Sequence, residues 1–320
     1  MKGVPGPARR RQLLALAGLP WLSACAAETG APLRIGASVF PGYEFLFLAQ
    51  ELGALPRERV RVVEMPSASA SMRALGAGAM EGACLTLDEV VAARERGIAL
   101  TAVAVLDVSL GADVLIARPE LTQLADLRGR RVAVEHTAVG AVMLHAALAA
   151  AGLQVTDVHM LALDYDRHER AFLDQGVDAV VTYEPVKSQL LRAGGRVLFS
   201  SARIPGRIMD VLALREDLVA SRPLAVRAAV EAHFHGRDAY MAQGAPHIAS
   251  LAAHLRLAPE GVAAAFAELD LPDRTRNRVL FNADAAELRR IANTLIDVML
   301  QAGLLRARPR LDQLFDGRFL

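Results

Sequence analysis

The sequence predicts an α/β protein of two lobes with a helical C-terminal region. Three observations carry this. Short apolar β-like runs alternate with helix-like segments from Leu33 to Ser200, the pattern of sheets flanked by helices. The run Asp113-Val-Leu-Ile-Ala-Arg118 is echoed by Asp210-Val-Leu-Ala-Leu-Arg215, one before and one after a second α/β block. From Pro223 onward the apolar spacing is helical, with long periodic segments over Pro223–Met241 and Asp284–Ala302.

In chain order, Leu33–Ser38 reads as a strand, Pro41-Gly42 as a turn, and Glu44–Leu52 as a helix closed by Gly53. Val60–Met65 is a second strand, and the loop Pro66–Ser71 leads into a helix at Met72. Gly82–Leu85 and Leu100–Leu106 are strands separated by a helix over Asp88–Arg96. A second block begins near Pro119, with strands at Arg131–Glu135, Val158–Leu163, Asp178–Tyr183 and Arg196–Ser200. Its helices cover Ala138–Ala151 and Arg167–Gln175, and another can start at Pro185. Such apolar strands suit sheets that are parallel-rich and covered on both faces. The two echoing runs read as paired crossover strands at a hinge. Lobe 1 then takes residues 33–117 plus 210–320, and lobe 2 takes 118–209.

The N-terminus has a basic start (Lys2, Arg9, Arg10, Arg11) and a short apolar stretch, Leu13–Leu22, with small residues after it. This describes a secretory signal peptide over residues 1–24; the stretch is too short to span a bilayer. Leu22-Ser-Ala-Cys25 resembles the bacterial lipobox, which implies cleavage before Cys25 and lipidation of its thiol. Residues 25–32 would then be a lipid-anchored tether, and the expected location is periplasmic, held to a bacterial membrane. Loss of residues 1–24 removes four basic residues and no acidic one, taking the net charge from +1 to −3. No basic tract remains, so nucleic acid is not an expected partner. At 53% hydrophobic and 22% charged, the chain can bury a large core. With Cys25 modified only Cys84 is left, in an apolar run that reads as core. It can form neither an internal disulfide nor a cysteine-based zinc site.

Several pieces, in order, resemble the periplasmic substrate-binding proteins of ABC importers. They are Arg34-Ile-Gly, Pro41-Gly-Tyr-Glu-Phe-Leu-Phe-Leu-Ala, Gly111-Ala-Asp-Val-Leu-Ile-Ala, Asp126-Leu-Arg-Gly-Arg-Arg-Val-Ala-Val-Glu135 and Asp178-Ala-Val-Val-Thr-Tyr-Glu-Pro185. The branch is the nitrate/sulfonate/taurine (SsuA-like) family, which includes the thiamine-pyrimidine-precursor binders. Tyr183 stands where that family commonly has tryptophan. The resemblance runs from about Leu33 to Leu320. It implies a two-lobed periplasmic-binding-protein fold of type II, a small solute captured between the lobes, and delivery to permease and ATPase subunits; a monomer without cofactor or metal is expected. It does not imply which solute.

In such a fold the ligand sits beyond the carboxyl ends of strands, among helix N-termini. Phe40 and Tyr43 follow the first strand and either stack on a ligand or pack on the lobe. Ser67, Ser69 and Ser71 suit ligand contact or an N-cap. Thr86 and Asp88 precede a helix, as does Thr137 after Glu135-His136. Tyr183 and Glu184 end a second-lobe strand, and Asp113 and Asp210 open the echoing runs. Asp107 and Asp164 add to the acids at strand ends, against only Arg207 and His136 as nearby basic candidates. The ligand candidates are thus Phe40, Tyr43, Ser69, Thr86, Asp88, Asp113, Glu135, Thr137, Asp164, Tyr183, Glu184 and Asp210. A carboxylate-lined cleft favours a cationic or nitrogen-rich solute over a sulfonate or nitrate, because a buried anion needs paired donors. The alternative is that these acids cap helices or pair with arginines.

No phosphate-binding loop and no nucleophile-elbow motif is present, and the Gly76–Gly82 glycines lack dinucleotide-binding spacing. His233 and His235 diverge on a helix, a poor metal pair. The expected function is therefore a non-enzymatic solute receptor. The competing readings are an enzyme on the same fold, of the pyrimidine- or menaquinone-precursor type, and a ligand-sensing subunit.

Overall fold

A computed structural model describes residues 1–3, 30–135 and 137–320. The chain divides into Met1–Gly30 and a compact unit, Ala31–Leu320, which holds both sheets and their helices. Residues 4–29, which hold most of the expected signal peptide and Cys25, lie outside the described residues, as does His136.

The first lobe begins with β1 (Leu33–Ser38), α1 (Glu44–Glu51), β2 (Val60–Met65), α2 (Ala68–Gly76), β3 (Gly82–Thr86), α3 (Leu87–Glu95) and β4 (Leu100–Ser109). The chain then crosses into β5 (Val114–Ala117), β6 (Arg131–Val134), α4 (Ala138–Ala149), β7 (His159–Ala162), α5 (His168–Leu173), β8 (Ala179–Thr182), α6 (Val186–Arg192) and β9 (Arg196–Ser200). It returns through β10 (Met209–Arg215), α7 (Glu216–Ser221), α8 (Pro223–Ala242), α9 (Ile248–Leu255), α10 (Pro259–Ala267), β11 (Leu269–Asp270), α11 (Arg274–Leu280) and α12 (Ala286–Gln301). The expected two-lobed α/β fold is present: one sheet in the order β11-β4-β10-β3-β1-β2, the other β7-β6-β8-β5-β9.

Each sheet keeps a parallel side, β2-β1-β3 in one and β7-β6-β8 in the other. The remaining strands of each run antiparallel, so both sheets are mixed. The two echoing strands do not pair with each other. β10 lies in the first sheet between β3 and β4, whereas β5 lies in the second between β8 and β9. A boundary at 117/118 therefore cuts on the wrong side of β5, because the first crossing falls between Ser109 and Val114. The similarity of the two runs reflects a common position: each is a buried, two-sided strand inserted antiparallel beside a parallel set.

The first sheet is covered on one face by α3, α12 and the C-terminal segment, through Leu87, Val91, Leu288 and Phe315, among others. On the other face α1 and α8 bury Leu46, Ala49, Val226 and Val230. α8 can approach because Gly236 faces α1: a Cβ there would lie 2.0 Å from the carbonyl oxygen of Phe45. The second sheet packs α4 on one side, through Met143 and Leu144, and α5 and α6 on the other, through Phe172 and Leu190. Cys84 and His233 are buried in the first lobe, as expected of core residues. One boundary differs: α2 starts at Ala68, not Met72, because Ser67 caps it, its Oγ accepting from Ala70 N at 3.1 Å. No helix among the described residues is long and apolar enough to cross a membrane.

Candidate functional site

The carboxyl ends of β1, β3, β6 and β8 converge on one cavity, the place an open α/β sheet offers a ligand. Ser38 ends β1, Thr86 ends β3, and Glu135 and Tyr183 follow β6 and β8. Asp113 and Asp210 come from the crossing segments that open β5 and β10. With Phe40, Tyr43, Ala68, Glu89 and Val139 they enclose about 20 Å³, room for about one water. A larger solute does not fit within this central space alone.

The walls are acidic. Glu89, Asp113, Glu135 and Asp210 line the cavity, and none of its described lining residues is Arg, Lys or His. Asp107 stands beside them. β10 sets Asp210 in register with Thr86 on β3 and with Asp107 on β4, so two buried aspartates face each other across one ladder. Burial drives every one of these groups toward its neutral form. It pushes Asp107 up to about 8, Asp88 to about 7 and Asp113 to about 6. It raises Glu135, and holds Glu89 and Asp210 well above the usual carboxylate range, with neighbouring carboxylates adding to the effect. Tyr43 donates its hydroxyl to Asp210. Among the described residues, no hydrogen-bond partner meets the distance and angle limits for either oxygen of Asp107 and Asp88, or for Glu89 Oε1, Asp113 Oδ2 and Glu135 Oε2. So many unpaired buried acceptors are unusual, and three of the residues that carry them, Glu89, Asp113 and Glu135, line the cavity.

One carboxylate bridges the lobes. Glu135 Oε1 accepts a hydrogen bond from Ser69 N, in the first turn of α2, at 2.8 Å. The helix N-terminus where an anionic solute would be received is thereby occupied by the protein's own carboxylate. The aromatic side is equally committed. Tyr183 stacks on Tyr165 (centroids 4.2 Å apart, 2° between planes) and meets the edge of Phe40 at 5.4 Å. Phe40 also meets Tyr43 at 5.1 Å.

Seven of the expected contact residues are thus brought together: Phe40, Tyr43, Thr86, Asp113, Glu135, Tyr183 and Asp210. Ser69 joins through its N–H. Asp88 is buried beside Glu89 but does not line the cavity. Thr137 precedes α4 and lines two flanking cavities instead. Asp164 is not at the site: it pairs with Arg73 across the lobes at 3.0 Å, largely in solvent. Glu184 is also elsewhere engaged, accepting from Ser188 N at 3.1 Å and Ser188 Oγ at 2.9 Å at the start of α6. Arg207 is exposed and away from the cavity. Glu89 is the acid that sequence reasoning passed over. Its signal was the spacing Thr86-x-x-Glu89, half of a capping box, and Glu89 Oε2 does accept from Thr86 N at 3.0 Å. Among the described residues no group of three or more His, Cys, Asp or Glu is arranged to hold a metal ion.

A model of the NMT1-like family matches residues 26–254. This chain belongs to the NMT1-like family. No curated protein sequence matches it. Its fold is shared with the alkanesulfonate-binding protein SsuA from Xanthomonas axonopodis pv. citri, solved bound to MOPS. That pair has a TM-score of 0.77 and 21% identity, covering 91% of this chain and 100% of that one. The periplasmic aliphatic sulphonate binding protein SsuA from Escherichia coli is similar, with a TM-score of 0.69, 21% identity and coverage of 89% and 92%. A mutant of the enzyme DSZB in complex with biphenyl-2-sulfinic acid also shares the fold (TM-score 0.61, 18% identity, coverage 90% and 97%). At these identities the likeness is one of fold. The NMT1-like chain thus has the expected SsuA-like architecture.

Proposed function

We propose that this NMT1-like protein is the solute-binding component of an ABC importer, extracytoplasmic and anchored to a bacterial membrane through a lipid on Cys25. It captures a small cationic or nitrogen-rich solute between its lobes and delivers it to permease and ATPase subunits, acting as a monomer. The observation that carries the reading is the cavity at the lobe junction, acid-lined and without a described basic lining residue. Once ionised, buried carboxylates that lack partners are satisfied by an ammonium or amidine N–H donor set and repel a sulfonate. The fold shared with two sulfonate-binding SsuA proteins supports the receptor role. The difference in ligand charge rests on the cavity. The sheet to which each strand belongs supports placing the domain boundaries near the crossings, at 109–114 and 200–209.

The fold shared with DSZB raises a second reading, that of an enzyme. No described cysteine nucleophile at the cavity supports it. Cys84, the one cysteine among the described residues, is buried in β3 outside the cavity, and burial holds its thiol well above its ordinary value. Native mass spectrometry of freshly purified protein tests the receptor role. A co-purified small nitrogenous molecule is expected; a covalent product of turnover would favour the enzyme.

A further inference from the structure

The central cavity is too small for a solute, but it does not stand alone. A cavity of about 310 Å³ lies against it between α3, α4 and β7, with the turn after α12 closing one side. Glu135 lines both. A second flanking cavity of about 330 Å³ shares Glu89 with the centre, and shares Ala92, Arg96, Thr137 and Ala138 with the first. Two buried carboxylates, each with an unpaired oxygen, therefore stand at the point where a polar chamber opens into larger space.

The first flanking cavity differs in chemistry from the centre. Its walls are mostly aliphatic, including Ala138, Ala141, Leu144 and Met160; His145 also lines it, and Arg96, at the opposite end of α3 from Glu89, is exposed and makes no ion pair among the described residues. The geometry points to a two-part site, resting on the solute-binding reading above: the ammonium end of the guest meets Glu89 and Glu135, and an apolar body extends along α4. The Arg96 guanidinium, at the opposite end of α3 from Glu89, disfavours a second ammonium beside it. The ligand class this selects is a primary amine with a single cationic head and an aliphatic or aromatic tail, not a diamine.

Calorimetry on the whole protein with propyl-, butyl-, pentyl- and hexylamine tests this, with the α,ω-diamines of the same lengths alongside. Affinity should tighten about fourfold for each added methylene of the monoamines, as expected for a buried CH₂ group, and should not do so for the diamines. Ala141→Phe, which fills the flanking cavity from the half-buried face of α4, should abolish the length dependence and leave propylamine binding unchanged. Amine binding that is independent of chain length, or diamines that match monoamines, would overturn the two-part site while leaving the cationic-solute reading intact. No binding by any amine would overturn both.

Discussion

Glu135 of the second lobe accepts a hydrogen bond from Ser69 N of the first at 2.8 Å, and its other carboxylate oxygen is buried without a partner. One side chain thus ties the lobes together and offers an acceptor to whatever lies between them. Glu135→Gln keeps the shape and the acceptor to Ser69 but removes the charge. A hydrogen bond to a charged group is worth about 1.5–3 kcal/mol, so binding of a cationic solute should weaken about 10- to 100-fold with folding unchanged. Titration calorimetry reads this directly; an unchanged affinity would remove Glu135 from the site.

The buried aspartates set a pH dependence. Folded Asp107 titrates at about 8 and folded Asp88 at about 7, against about 3.9 in an unfolded chain. Between those limits the native state holds protons that the unfolded state has released, so stability falls as pH rises. Buried His168 and His233 act oppositely, lowered by burial to about 4 and about 3, but their contribution is complete above about pH 6.5. His254, raised by its bond to Glu44, adds to the decline. From pH 7 to 9 the ligand-free protein should therefore lose stability, by at most about 1.4 kcal/mol per pH unit for each titrating group. Melting curves at pH 7, 8 and 9 check this, and Asp107→Asn should flatten the slope. A rising melting temperature would contradict the assignment.

Gly42 is held in close contact with the same cluster. A Cβ at Gly42 would lie 1.7 Å from Asp107 Oδ2. Gly42→Ala must displace either the turn before α1 or the Asp107 carboxylate. A cost of about 1–3 kcal/mol is expected from such overpacking, together with weakened solute binding. Urea unfolding and calorimetry on the same variant measure both, and wild-type values in each would show that the turn yields freely.

A second tie between the lobes lies at the first crossing. Lys187 on α6 pairs with Glu268, which precedes β11, and its Nζ also donates to Gly111 O at 3.3 Å. Lys187 is the buried partner, 8% exposed against 35% for Glu268. Removing Glu268 strands the buried ammonium, whereas removing Lys187 leaves a carboxylate that water can reach. Glu268→Ala should therefore destabilise more than Lys187→Met, by roughly 1–2 kcal/mol in urea unfolding. The reverse order would contradict this assignment of the buried partner, and small, equal costs would mean that the pair contributes little.

Cys25→Ser should release the protein from membranes or leave it unprocessed, because the anchor would require that thiol. Membrane fractionation with a size assay decides it; a cleaved species that still sediments with membranes would contradict lipidation.

Much of the fold was legible in the chain, and the parts that were not have physical causes. β1, β2 and β9 are bounded by turn residues and match the sequence pattern residue for residue. β4 runs past Leu106 to Ser109 because pairing with β10 continues through Asp107, where the apolar run has already stopped. That hidden extension places Asp107 against Asp210. α2 begins early because any of three serines could cap it, and only the fold selects Ser67. Asp164 and Glu184 resemble Asp113 and Asp210 in sequence context. Their partners, Arg73 and Ser188, are supplied by tertiary packing and local helix geometry, which strand-end position does not reveal.

The charge of the solute is the central claim, and competitive calorimetry tests it most directly. The protein at pH 8 is titrated with ethanesulfonate, nitrate, a 4-aminopyrimidine and a primary alkylamine. The acid-lined cavity predicts binding of a nitrogenous solute, stronger at pH 8 than at pH 6 and lost in Asp113→Asn, with no response to either anion. Micromolar binding of ethanesulfonate or nitrate, with silence from the nitrogenous solutes, would contradict it.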